Sequence, residues 1–229
     1  MLNLLLFQKI AQLFVVIFLG WLIVKIGLLK TEDSRCLSMI LLYVITPCVF
    51  INAFQTERSP EILSMIAFSA VLSFLFTIVL LVAGHLAARW FHMDVVEEGS
   101  IIYPNSGNMA IPLVNAVFGG EWVIFVTLYN MIQNLFVWSC GRMLISGEKK
   151  FSLRALLMNV NILAILAGSL LFFLNIRLPE ILHNALSSVG DMIGPAAMLI
   201  VGMLIADLKP EDLKNYRRIW KPVLFRLVL

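Results

Sequence analysis

Charge is what this chain has least of. Lys, Arg, Asp and Glu make up 14% of its 229 residues, against about 25% in a typical soluble domain, while 61% are hydrophobic and the mean hydropathy is +0.95. That balance describes an integral membrane protein, and no polar stretch of domain size interrupts it. The net charge is only +3, and no basic run alternates with aromatics, which argues against a nucleic-acid partner. Cysteine is scarce as well. Cys36, Cys48 and Cys140 lie in apolar segments without metal-ligand spacing, so they read as small hydrophobes and not as disulfides or ligands. The chain also lacks a Ser-His-Asp grouping, a metal cluster, a phosphate loop and an intramembrane Asp pair, so nothing points to an enzyme or a cofactor. No filter-like loop marks a channel.

What is present is a series of long apolar runs. The first, Leu4–Ile26, exceeds the roughly 7–15 residues of a signal-peptide core and is followed by no small-residue cleavage site, so it reads as a transmembrane helix. Further spans of about 20 residues are expected at Cys36–Phe54, Ile62–Trp90, Gly99–Phe118, Trp122–Leu144, Leu153–Leu174 and Leu182–Ala206, with an eighth beginning near Trp220. Basic residues alternate in density between connections. One side carries Lys25, Lys30, Arg35, Arg89, Arg142, Lys149, Lys150, Arg154 and the Lys209–Lys221 cluster. The other carries only Lys9, Arg58 and Arg177. The positive-inside rule then puts the N-terminus outside.

The fourth run, IIYPNSGNMAIPLVNAVFGG, is a poor helix in its middle. Pro104 and Pro112 each lack an N–H, and Gly107 loosens the backbone between them. Irregular backbone at membrane depth is tolerated only within protein or beside a wet cavity. Segment four is therefore expected as two half-helices, with Asn105, Ser106, Gly107 and Asn108 in the break and Pro112 in the first turn of the second half. The free N–H groups at that half-helix start, with the neutral amides of Asn105 and Asn108, suit a carboxylate. The competing expectation is a plain proline kink whose asparagines cap broken backbone.

A repeat underlies the chain. Pro47 and Pro195 both sit mid-span, separated by 195 − 47 = 148 residues; the same offset carries Asn3 to Phe151 and the loop Gly27–Arg35 to Asn175–His183. Residues 1–148 then form one five-segment unit and 149–229 an incomplete second unit, inverted because five is odd, an arrangement typical of secondary transporters. On this reading Pro104 and Pro112 should recur near positions 252 and 260, so the sequence is expected to be part of a chain of about 300 residues with about 7.5 of ten helices present.

Pro104-Asn105-Ser106, Met109-Ala110-Ile111-Pro112-Leu113 and Phe118-Gly119 resemble the broken fourth helix of the auxin efflux carrier (PIN-like) family, in its bacterial form. Ala110 departs from the usual glycine. The resemblance implies an all-α polytopic fold of the bile-acid-transporter or NhaA-like type, with inverted five-helix repeats and crossed broken helices. It implies a dimeric elevator carrier of small organic anions such as malonate, malate or auxin-like acids, in a bacterial inner membrane. Segments one, two, six and seven would form the scaffold, with two and seven near the contact of a homodimer. Pro104 and Asn105 match residues that hold the substrate carboxylate, and Asn134, four before Trp138, matches a polar site residue on helix five.

Asn130, Gln133 and Asn134 share one face of segment five, so that face looks inward, either lining the site or joining helices. Asp191, one turn before Gly194-Pro195, either couples a cation or marks a solvated helix entrance. His85, near the end of segment three, has no acid partner evident in the sequence. The alternative to a carrier is a truncated remnant or a ligand-binding or sensing module that does not transport.

Overall fold

The computed structural model describes residues 2–104, 106–119, 122–147, 154, 157–209 and 220–228, and those residues are helical with no strand among them. The chain is an all-α, multi-pass integral membrane protein. Among the described residues, Leu6–Lys25, Thr31–Ala53, Pro60–Phe91, Val123–Ser146 and Glu180–Ala206 are long and apolar enough to cross a bilayer. Large side chains such as Phe7, Phe14, Phe68 and Trp90 are exposed along them, as lipid-facing residues are, while small and hydroxyl residues turn inward. Thr77 and Thr127 are fully buried, and each hydroxyl donates to the carbonyl four residues back, so neither brings an orphaned donor into the core.

Helix α1 (Leu2–Lys25) crosses first. A short 3₁₀ turn leads into α2 (Ser34–Ile40), a π-helical turn (Leu41–Ile45) and α3 (Thr46–Ala53), which together make one span. The wide turn precedes Pro47, and the Thr46 hydroxyl donates to the Leu41 carbonyl at 2.8 Å, supplying a donor where the regular ladder is disturbed. Helix α4 (Pro60–Phe91) starts with Ser59 as cap and Pro60 at its first position. It ends where His92 takes a left-handed conformation (φ 51°). Asp94 and Glu97 then form a reciprocal capping box that starts α5 (Val95–Ile102) only three residues later. His85 does have an acid partner: the turn folds α5 back on α4, and His85 Nδ1 lies 2.9 Å from Glu98 Oε1.

Segment four is broken, as expected, into α5 and α6 (Ser106–Phe118). Segment five is α7 (Val123–Phe136), a π-helical turn (Val137–Gly141) and α8 (Arg142–Ser146) in continuity. The sixth span is shorter than expected. Within the described residues its helix α9 runs Val160–Phe173 and not from Leu153, because Asn159 adopts extended backbone and caps it, accepting from the Asn161 N–H at 2.9 Å. The seventh is divided into α10 (Glu180–Gly190) and α11 (Ile193–Ala206) by a turn at Asp191–Met192. Pro195 has no N–H for the Asp191 carbonyl, which explains the interruption. Helix α12 (Trp220–Val228) lies against α5, with Phe225 edge-on to Phe91 and Lys221 Nζ donating to the Phe91 carbonyl.

Two pairings organise the bundle: α1 lies along α11, and α3 along α9. Glycine permits both. A Cβ at Gly20 would strike the Leu199 carbonyl, and one at Gly202 would strike the Ile17 carbonyl; one at Gly168 would lie 3.2 Å from the Ile51 Cα and 2.6 Å from the Phe54 ring. Gly20 with Leu199 and Gly168 with Ile51 are related by one offset, since 168 − 20 and 199 − 51 are both 148. Phe50, Phe54, Leu128, Met131, Ala164 and Phe172 then join segments two, five and six, while Ile45, Val49, Ile111, Ile193 and Ala196 seat α6 against segments two and seven.

Candidate functional site

The break in segment four begins at Tyr103. The residue before a proline is driven out of the α region, and Tyr103 sits at φ −111°, ψ 85°, ending α5. The phenol docks on segment five, with its hydroxyl donating to the Phe136 carbonyl at 3.4 Å and its ring against Gly141. That contact falls on the π-helical turn, so irregular backbone in segment five faces the irregular backbone of segment four.

The second half-helix starts earlier than the sequence indicated. Ser106, Gly107 and Asn108 belong to the first turn of α6 and not to the break, and Pro112 is interior to α6 and not in its first turn. The physical reason is that Pro104 alone suffices to end α5, while a proline inside a membrane helix leaves only the carbonyl four residues back, that of Asn108, without a helical donor. Asn105 lies outside the described residues, as do the side chains of Ser106, Asn108 and Pro112.

Segment five supplies the wall opposite α6. The Asn130 amide sits directly against Gly107: a Cβ there would come within 2.7 Å of Asn130 Cγ and 2.9 Å of its Oδ1. Asn134 Nδ2 donates to the Asn130 carbonyl at 2.9 Å and approaches its Oδ1 at 3.4 Å. Asn130 and Gln133 are buried, and Gln133 hydrogen-bonds the Tyr129 hydroxyl. The first turn of α6, with free N–H groups and a positive dipole end, therefore meets a face of neutral amides.

A second polar region opens toward the membrane face on which α1 begins. Lys9 and Gln12 of α1, Ile111 and Asn115 of α6, and Asp191 border a cavity of about 410 Å³. Asn52, Gln55 and Thr56 of segment two, Asn115, Ser187 and Asp191 border an adjoining one of about 430 Å³. Ile111, Asn115, Gly190 and Asp191 line both, so the two are parts of one cleft between α6 and the helices of segments one, two and seven.

The family profile described as membrane transport protein matches residues 5–153. The chain belongs to that family, the auxin efflux carrier (PIN-like) membrane transporters. No curated protein and no solved structure gives a significant match.

In this transporter the fold brings Gly107, Asn130 and Asn134 together beside Pro104, with Gln133 one turn away and bonded to Tyr129. Asp191 is not among them. It stands apart in the cleft, exposed, at the turn between α10 and α11. Sequence reading passed over Asn115, Lys9, Asn52, Gln55 and Tyr103. Asn115 carried a signal, a lone amide inside an apolar run. The approach of Lys9 to Asp191 carried none, because it depends on α1 lying along the seventh segment.

Proposed function

We propose that this membrane transporter is a secondary carrier of small organic carboxylates, of the malonate, malate or auxin-like class, holding the substrate carboxylate at the break in segment four. The observation that carries the reading is the seat of Gly107 on Asn130, which brings the donor-rich start of α6 against the amides of Asn130 and Asn134. Donors without a fixed cation let an anion bind and leave without stranding a buried charge in the empty state. Pro104, Asn105, Ser106, Asn108 and Pro112 shape this site in the proposal, and Gln133 lines it.

Residues 1–148 and 149–229 are read as inverted units; the Gly20–Leu199 and Gly168–Ile51 contacts at one offset support this. Segments one, two, six and seven then form a scaffold, and segments three to five belong to the body that slides along it as an elevator. With the N-terminus outside a bacterial inner membrane, the cleft faces outward. Two copies pair through segments two and seven.

The test is counterflow. The full chain is reconstituted in liposomes loaded with unlabelled malonate, and uptake of radiolabelled malonate, malate and indole acetate is followed. Accumulation that needs the internal load, and that falls about tenfold or more in Asn134→Ala, supports the carrier. Binding without counterflow would make the protein a ligand-binding module instead.

A further inference from the structure

The cleft carries two opposite charges that do not neutralise each other. Lys9 and Asp191 border the same cavity of about 410 Å³, yet neither forms an ion pair within 4.0 Å. The cavity is within the roughly 300–1,000 Å³ of small-molecule sites. Its remaining wall is divided between amides and hydrocarbon: Gln12 and Asn115 on one hand, Leu13, Val16 and Ile111 on the other. Next to it, Asn52 and Gln55 each present a buried amide atom with no hydrogen-bond partner. Two unpaired charges of opposite sign, unpartnered amide atoms and an apolar wall in one cleft describe a complementary ligand.

We infer that the cleft is a recognition site for zwitterions with an apolar tail: one carboxylate held by Lys9, one ammonium held by Asp191, and hydrocarbon against Val16 and Ile111. A dicarboxylate of the same shape fits worse, because its second carboxylate faces Asp191 across the cavity, and like charges brought together oppose binding. This rests on the carrier reading, whose substrate class it narrows, and places an outward specificity step before the break in segment four.

The probes are leucine, 4-methylpentanoate and isobutylmalonate, which share one carbon skeleton and differ in a single group: ammonium, hydrogen or a second carboxylate. Binding of each radiolabelled probe to the full chain in nanodiscs is measured at low salt. Leucine binds tightest and isobutylmalonate weakest. Asp191→Asn removes the leucine preference by about tenfold, and Lys9→Met weakens leucine and 4-methylpentanoate alike by about tenfold. Lys9→Arg and Asp191→Glu retain the ranking, which separates lost charge from lost fold. Tightest binding of isobutylmalonate, a ranking indifferent to both charge-removing variants, or no binding of any probe overturns the inference. Leucine preference without flux would sink the carrier reading and leave the site standing. Dicarboxylate flux without that preference would do the reverse.

Discussion

The carboxamide of Asn130 occupies the space that a side chain at position 107 would need. Because Asn130 is buried and is tied to Asn134 through its carbonyl, it has little room to withdraw. A methyl at 107 must displace either the amide or the start of α6. Gly107→Ala is therefore expected to cost about 1–3 kcal/mol, the usual price of overpacking, and to abolish carboxylate uptake. Adding Asn130→Ser should recover thermal stability but not uptake. A Gly107→Ala protein that melts and transports like the parent would remove the contact from the argument.

Pro104 ends α5 by its ring and its missing N–H. Pro104→Ala restores the donor, so α5 can extend toward α6 and close the break. Helix content should rise slightly and uptake should fall by about tenfold or more, since the α6 N–H groups then bond within the helix. Circular dichroism and counterflow on one preparation check both parts; unchanged flux would mean that the break holds without the proline.

The Gly20 and Gly168 seams make a paired forecast. Both are close backbone approaches, at Leu199 and Ile51 respectively. Gly20→Val and Gly168→Val should each destabilise the protein in detergent, by about 1–3 kcal/mol, and by similar amounts. A loss at one position alone would speak against equivalent packing of the two units.

The His85–Glu98 pair should matter less than its 2.9 Å separation invites one to think. His85 is 68% exposed, so its contribution is that of a surface pair, about 0–1 kcal/mol. His85→Gln is expected to leave thermal stability and uptake within error of the parent. A large loss of uptake in that variant would assign the histidine a role in proton movement.

The spans and the interruption of segment four were legible because apolar run length and proline act locally. Ile62–Trp90 was placed within two residues of α4 at its start and one at its end. The sixth segment was misjudged because hydropathy cannot see a cap: Asn159 starts the helix inside an apolar run. Pro112 was misplaced because its preference for a first helical turn was learned from water, whereas protein neighbours at membrane depth tolerate it inside α6. The amide face of Asn130, Gln133 and Asn134 followed from helical spacing. Its partner Gly107 did not, nor did Glu98 for His85, since both meetings are made by turns and crossings that spacing does not encode.

The contact of α1 with α11 has a consequence for leakage. Lys9, Gln12 and Val16 line the cleft, but one turn beyond Val16 the two backbones touch at Gly20 and Leu199 and again at Gly202 and Ile17. Along that line there is no space for a water file or for an acyl chain entering from the side. Ions and solvent that fill the wet half of the molecule reach a dead end there, so the membrane potential drops across the tight seam and not along the cleft.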